Sequence, residues 1–132
     1  AIFGAPRLPD DPPNEHHAFD AVSAALEMQV VQKRLIDKLD SEKSFLIRIG
    51  VNTGKAYTGF FGTRHRMEYT AIGDTVNTAA RLENSAKPGT VCVSEETVQA
   101  IGKGFQVQEM GELRLKGKHN LVRAYEVLGR KG

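Results

Sequence analysis

The chain has 132 residues with 40% hydrophobic and 26% charged side chains, proportions that are typical of one globular domain with its own core. The net charge of +2, from 18 basic and 16 acidic residues, gives little electrostatic reason to expect a nucleic-acid partner. No apolar run approaches the ~20 residues of a membrane-spanning helix. The single cysteine, Cys92, is interpreted as a buried thiol in a reducing compartment.

The first elements in chain order are predicted from apolar spacing and from proline. Residues 1–3 are apolar from the first position and are predicted to be the end of a strand, so we expect the sequence to be a fragment of a longer domain. Four prolines between residues 4 and 14 indicate a loop. Helical spacing then extends over residues 16–39, with a broad apolar side that Gln29 interrupts.

Two β-type runs follow this helix. Residues 45–51 alternate around Arg48, residues 56–62 form the second run, and Thr53-Gly54 between them is a hairpin signal. Residues 63–66 are polar and basic, and they are predicted to form a solvated turn. A mobile arm or a partner contact is the alternative for these four residues.

A third β-type run, residues 67–71, leads into a second helix. The run meets a small-residue corner at Gly73, after which helical spacing extends to about residue 87. Asp74 or Thr75 is placed to cap the first turn of this helix.

This second helix sorts its side chains into two faces. At ~100° per residue, Ala79 and Leu82 fall on an apolar face, whereas Asp74, Asn77 and Arg81 fall on the opposite side. An amide and a guanidinium one turn apart behind a glycine turn indicate a site for negatively charged oxygens. A solvated polar face with an ordinary cap is the alternative.

The remaining residues complete an α+β pattern. They are predicted to form a strand at 90–93, a short helix capped by Ser94, two strands on either side of Gly111, and a last strand at 122–128. The order β, α, β, β, α, β, α, β, β, β predicts an α+β sandwich with an antiparallel-rich sheet and helices on one face. A ferredoxin-like βαββαβ core is contained in it.

Several of these segments, in order and with regular spacing, resemble the class III adenylate and guanylate cyclases. The segments are Ile47–Gly54, Tyr69–Glu83, Lys87–Gly89, Leu115–Lys118, and the opening Ala1–Pro6, which looks like the stretch just past the family's second metal aspartate. The resemblance covers essentially the whole chain. It implies one nucleotide cyclase catalytic domain over residues 1–132, N-terminally incomplete and of the ferredoxin-like cyclase type.

The resemblance implies an enzyme, a phosphorus–oxygen lyase that converts ATP into 3′,5′-cyclic AMP and pyrophosphate for intracellular signalling. By the family's pattern, Asn77 orients the ribose, Arg81 stabilises charge at the α-phosphate, and Lys116 holds the terminal phosphates. Thr70 stands at the base-reading position, where a hydroxyl is compatible with adenine. A strand residue chosen for its β propensity is the alternative for Thr70. Asp74 is counted with the substrate-binding residues.

The family also implies cofactors and a second subunit. Its members bind two Mg²⁺ or Mn²⁺ ions through two aspartates, which the resemblance places upstream of residue 1, so we expect no metal ligand within the chain and at most trace activity from residues 1–132 alone. Sites shared between subunits imply a homodimer, with Arg64–Arg66 as an interface element. We expect a cytoplasmic domain without membrane or nucleic-acid contacts of its own, whereas some relatives belong to membrane-bound proteins.

Two further interpretations are kept beside an adenylate cyclase. The first is a guanylate cyclase, and the second is a non-catalytic cyclase-like module for dimerisation or nucleotide sensing. An RNA-binding sheet is disfavoured because only 7% of the residues are aromatic and the net charge is near zero.

Overall fold

The computed structural model of the chain describes residues 1–5, 10, 16–38, 46–114 and 121–131. Within these ranges the helices and strands are, in chain order, α1 (His17–Lys38), β1 (Ile49–Val51), β2 (Tyr57–Thr63), β3 (Arg66–Ile72), α2 (Asp74–Ser85), β4 (Val91–Ser94), α3 (Glu95–Ile101), β5 (Phe105–Arg114) and β6 (Leu121–Arg130).

Four of the strands form one mixed sheet in the order β1-β4-β6-β5, and β2 and β3 form a separate antiparallel pair. β1 runs parallel to β4, whereas β4 with β6 and β5 with β6 are antiparallel. β5 continues through Gly111 with two irregularities in its register, so the two strands predicted around this glycine are one bulged strand. The antiparallel-rich sheet that the sequence predicts is therefore confirmed.

Strand β4 is buried on both of its faces and shows where the helices lie. Val91 and Val93 pack in a core with residues of α1 and α3, and Cys92 between them packs in a second core with Leu82 and Ala86 at the end of α2. Successive strand residues point to opposite sides of a sheet, so α2 covers the face opposite to α1 and α3. The α+β sandwich is confirmed, but the expected placement of the helices on one face holds for α1 and α3 alone.

The hairpin predicted at Thr53-Gly54 is wrong. β1 pairs with β4, whereas β2 pairs with β3 through a turn at Arg64-His65. The local turn signal at Thr53-Gly54 is overridden by the pairing of β1 with β4, and Thr53 hydrogen-bonds at this point to the first turn of α3. The turn predicted at residues 63–66 is confirmed.

The strand end predicted at residues 1–3 is also wrong. Ile2 and Phe3 lie outside any strand of the described residues, and both are partly exposed. A β conformation is stabilised by the backbone of a neighbouring strand, and none of the described strands pairs with this segment.

Candidate active site

Helix α2 carries the two faces that its sequence predicts. Thr78 and Leu82 are buried at 4% and 0% exposure, whereas Asp74, Asn77 and Arg81 are exposed. Asn77 and Arg81 lie about 6 Å apart along the helix axis, because each residue of an α-helix rises about 1.5 Å. The side chains of both residues therefore project from one accessible surface, the α2 polar face.

The start of α2 differs from the predicted one. Gly73 is the N-cap with φ of 126°, no side chain caps the helix, and Asp74 and Thr75 already lie inside it. The predicted cap by Asp74 or Thr75 is therefore wrong. Gly73 is suited to this position because residues with a Cβ rarely adopt so positive a φ. Its carbonyl accepts the backbone N–H of Asn77 at 3.2 Å, which begins the helix.

The middle of α2 lies directly on the backbone of β1. A Cβ built on Gly50 would be only 2.4 Å from the Ala79 carbonyl oxygen and 2.4 Å from the Glu83 nitrogen. Only a glycine allows a helix to approach a strand this closely. Gly50 therefore determines how closely α2 approaches the sheet, and with it the position of the α2 polar face.

A network of polar side chains fixes the N-terminal end of α2, and we call it the Asn52 network. The Asn52 Nδ2 group donates to the Thr75 carbonyl at 3.0 Å, and the Ser94 hydroxyl donates to Asn52 Oδ1 at 2.7 Å. Thr97 Oγ1 lies 3.1 Å from Ser94 Oγ and 2.8 Å from Thr53 Oγ1. The network thus joins the end of β1, the first turn of α3 and the first turn of α2.

The sequence analysis did not identify the role of Asn52. Its local signal is a polar residue directly after a half-buried strand, which is common at turns. The contacts of Asn52 with Thr75 and Ser94 are both long-range, so they could not be deduced from spacing.

The structure places four of the five predicted site residues and brings three of them together on α2. Asp74, Asn77 and Arg81 share the polar face, and Thr70 is half-buried on β3, opposite Gly59 of β2. Lys116 lies outside the described residues. Lys116 comes between Arg114, the last residue of β5, and Leu121, the first residue of β6, and these two residues pair with each other across the strands.

A cavity of about 830 Å³ opens beside the start of α2. It is lined by residues 2–5, by residues 54–58, and by Gly73 and Asp74. Asn77 and Arg81 are not among its lining residues, and both are exposed on α2. Because ligand sites are normally concave, a second surface opposite the α2 polar face would be needed to enclose a ligand there.

The described residues contain no group of three or more His, Cys, Asp or Glu side chains placed to hold one metal ion. In the parts of the chain that the structure describes, no helix combines the length and the apolar character needed to cross a membrane.

Comparison with known proteins identifies one family over most of the chain. The family model for the adenylate and guanylate cyclase catalytic domain matches residues 1–128. The guanylate cyclase soluble subunit beta-2 of Rattus norvegicus is 36% identical over 111 residues, which is 83% of this chain. The adenylyl cyclase CyaB of P. aeruginosa superposes with a TM-score of 0.83 at 32% identity over 93% of this chain. The guanylate cyclase domain of RhGC from Catenaria anguillulae, solved in complex with GTP, gives 0.78 at 33% identity over 98%.

The chain is shorter than each of these relatives. It spans 16% of the rat subunit, and it spans 64% and 66% of the bacterial and fungal chains.

Proposed function

We propose that this chain, which belongs to the adenylate and guanylate cyclase catalytic-domain family, supplies the ribose- and phosphate-binding side of an adenylate cyclase site. The reaction converts ATP into 3′,5′-cyclic AMP. The ribose 3′-oxygen attacks the α-phosphorus, the bond from that phosphorus to the pyrophosphate oxygen breaks, and the 3′-hydroxyl proton is released. Because charge develops on the phosphoryl oxygens, positioned donors supply most of the catalysis.

The exposure of Asn77 and Arg81 on one face of α2 is the observation that carries this proposal. The Asn77 amide offers a donor and an acceptor, which suits a ribose hydroxyl and ring oxygen. The Arg81 guanidinium offers several donors in a fixed plane, which suits the oxygens of the α-phosphate. Both groups stand on a helix whose opposite side is buried at Leu82, so the backbone that carries them is anchored before substrate binds.

The other predicted residues have supporting roles in this proposal. Lys116 neutralises the terminal phosphates, and Asp74 lies at the cavity beside the start of α2. Thr70 contacts the base, and its hydroxyl can accept from the amino group of adenine. A hydroxyl can also donate to the carbonyl of guanine, so the preference for ATP over GTP depends on the groups that surround Thr70.

A second copy of the chain is the surface that we propose for enclosing the substrate. β2 and β3 form a two-stranded hairpin with highly exposed apolar side chains, including Tyr57 at 78%, Phe60 at 69% and Met67 at 58%. An isolated hairpin is marginal in water, and exposed apolar patches mark protein interfaces. A two-fold homodimer through this hairpin, with Arg64-His65 at its tip, gives two equivalent sites.

Cyclase domains of this family use divalent metal ions generally. We propose that the aspartate ligands for Mg²⁺ or Mn²⁺ come from outside this chain, because the family resemblance places both of them upstream of residue 1. Residues 1–132 alone are then expected to show at most trace turnover. We also propose that this domain is cytoplasmic, a proposal that leaves open whether the full-length protein is attached to a membrane.

The test is a cyclase assay with Mn²⁺ on the full-length protein that carries this chain, supplied with ATP or GTP. Arg81→Ala and Asn77→Ala are each expected to lower kcat by roughly 10²–10³-fold, as loss of an oxyanion donor does. Asn84→Ala is the matched control, because Asn84 is exposed on the same helix outside the proposed contacts. An active protein whose Arg81→Ala and Asn77→Ala forms keep the full rate would contradict the assignment.

A guanylate cyclase is the second candidate, and the similarity to the rat subunit and the fungal domain favours it. Faster turnover of GTP than of ATP in the same assay would establish it. Nucleotide binding without turnover of either substrate would instead identify a non-catalytic module.

A further inference from the structure

We propose that Asn52 is a positioning residue that sets the place and rotation of α2, and through them the two groups that act on substrate. This inference rests on the proposed function of Asn77 and Arg81. Asn52 itself follows directly after β1, and its side chain is engaged by protein at both ends.

The start of α2 depends on contacts from outside the helix. Its N-cap, Gly73, has no side chain, and no side-chain cap bonds to its first turn. Two hydrogen bonds instead tie the first turn to other parts of the chain, and both involve Thr75: the Asn52 amide donates to its carbonyl, and its hydroxyl donates to the Lys55 carbonyl. Asn52 is the one of these two partners that acts through a side chain.

The orientation of the Asn52 amide is determined by its neighbours. The Thr75 carbonyl can only accept, so Nδ2 must face it, and Oδ1 must then face Ser94. The Ser94 hydroxyl gives its single proton to Oδ1 and accepts from the Thr97 backbone N–H at 3.3 Å. A flipped amide would set two carbonyl oxygens against each other, so the network selects one orientation.

Ser94 supplies the rigid support for this arrangement. Ser94 and Thr97 are both 0% exposed, and Ser94 is the N-cap of α3. Asn52 therefore connects the first turn of α2 to a buried helix cap rather than to a mobile side chain. Together with Gly50 beneath Ala79, it gives α2 two fixed points, which define both its depth and its rotation.

A small displacement of α2 has a large effect on chemistry in this proposal. Asn77 lies two residues after Thr75, and Arg81 lies one turn further on, so both move with the first turn. Misplacement of catalytic groups by about 1 Å can lower a rate about 10²-fold. Loss of the Asn52 contact is therefore expected to lower kcat more than it changes KM.

Asn52→Asp is the variant that breaks this contact selectively. A carboxylate keeps the acceptor for Ser94 but has no donor for the Thr75 carbonyl. Thr53→Val is the matched control, because it removes the 2.8 Å contact with Thr97 in the same network and leaves the contact with α2 intact. All variants are assayed in the full-length protein at a temperature well below their melting points.

Asn52→Asp is expected to lower kcat by about 10–100-fold with KM within about 3-fold, while Thr53→Val stays within about 3-fold of the parent in both. In an Arg81→Ala background the further effect of Asn52→Asp on kcat is expected to be smaller than in the parent, because the part that acts through Arg81 is already lost and only the part that acts through Asn77 remains. Multiplicative effects of Asn52→Asp and Arg81→Ala, or equal losses from Asn52→Asp and Thr53→Val, would overturn the proposal.

Amide hydrogen exchange separates this inference from the proposed function, because it needs no turnover. Asn52→Asp is expected to speed exchange of the α2 amides by at least about 10-fold, and Thr53→Val is expected to leave them unchanged. Unchanged exchange in α2 of the Asn52→Asp protein overturns the positioning role whether or not the full-length protein is a cyclase. An inactive parent with faster α2 exchange in that variant supports the positioning role and rejects the cyclase.

Discussion

Gly50 on β1 lies directly against the backbone of Ala79 on α2, with room for a hydrogen atom and none for a methyl group. The nearest atoms to a built Cβ are the Ala79 oxygen and the Glu83 nitrogen, both at 2.4 Å, and these are backbone atoms that no rotamer change can remove. The helix that carries the proposed catalytic groups is therefore in direct contact with the sheet, without side chains between them.

Gly50→Ala is expected to push α2 away from β1. Overpacking of this kind costs about 1–3 kcal/mol, and the displacement of Asn77 and Arg81 is expected to lower kcat by about 10²-fold. Urea unfolding and the cyclase assay on the full-length protein measure the two effects.

Gly104→Ala is the control for this prediction. Its Cβ would meet only the Phe19 ring, at 3.3 Å, and a side chain can give way. The free energy of unfolding is expected to change by less than about 1 kcal/mol in this variant. Equal losses of stability and rate in the Gly50→Ala and Gly104→Ala proteins would argue against close contact at Gly50.

Ser94→Ala removes only one oxygen atom, but it is expected to lower the free energy of unfolding of the domain strongly. The Ser94 oxygen accepts the Thr97 N–H as the N-cap of α3 and donates to Asn52, and both bonds are buried or partly buried. Loss of an N-cap typically costs about 1 kcal/mol, and the partly buried Asn52 acceptor left unpaired adds about 1 kcal/mol. Ser85→Ala, at the C-terminal end of α2, is the control and is expected to lower the free energy of unfolding much less. Urea titration measures both variants.

Cys92 gives the domain a dependence on alkaline pH. Its thiol is buried in the core and lies 3.6 Å from the Met110 sulfur, and burial, with a smaller effect from Glu126, raises the pKa of Cys92 from 9.0 to about 11. The folded state therefore keeps its proton at a pH where the unfolded state has lost it. The stability that follows is fully present below pH 9 and is lost as the pH rises towards 11.

The measurement compares the wild-type chain with Cys92→Ala between pH 8 and pH 11. The free energy of unfolding of the wild-type chain, relative to that of Cys92→Ala, is expected to fall by up to about 3 kcal/mol, because each of the two pH units between the two pKa values contributes about 1.4 kcal/mol. A difference that stays constant across this range would show that the thiol ionises equally well in the folded and unfolded states.

The features of the site that depend on residues close together in the sequence could be predicted. The alternation of buried Leu82 with exposed Asn77 and Arg81 follows from helical period alone, and Ser94 was identified as a cap from its position before two acidic residues. Each of these signals depends on residues within one or two turns of one another.

The features that depend on distant residues could not be predicted. α2 begins after Gly73 rather than at Asp74 or Thr75, and its first turn is held by a hydrogen bond from Asn52 on another element. The pairing of β1 with β4, rather than with β2, is likewise a contact between distant segments. A turn signal such as Thr53-Gly54 says where the chain can reverse, but tertiary contacts decide whether it does.

The hairpin of β2 and β3 provides the sharpest test of the proposed dimer. Phe60 is 69% exposed and touches Tyr69 edge-on, with the ring centroids 5.3 Å apart, so Phe60→Asp removes little of the domain's own core. A charge at the centre of an apolar interface is costly to desolvate, and the variant is therefore expected to be a folded monomer at micromolar concentration with at least about 10-fold lower activity. Leu35→Asp, which is 54% exposed on α1, is the control and is expected to remain dimeric and active. Sedimentation velocity and the cyclase assay on the full-length protein decide the outcome, and a dimeric, fully active Phe60→Asp protein would place the interface elsewhere.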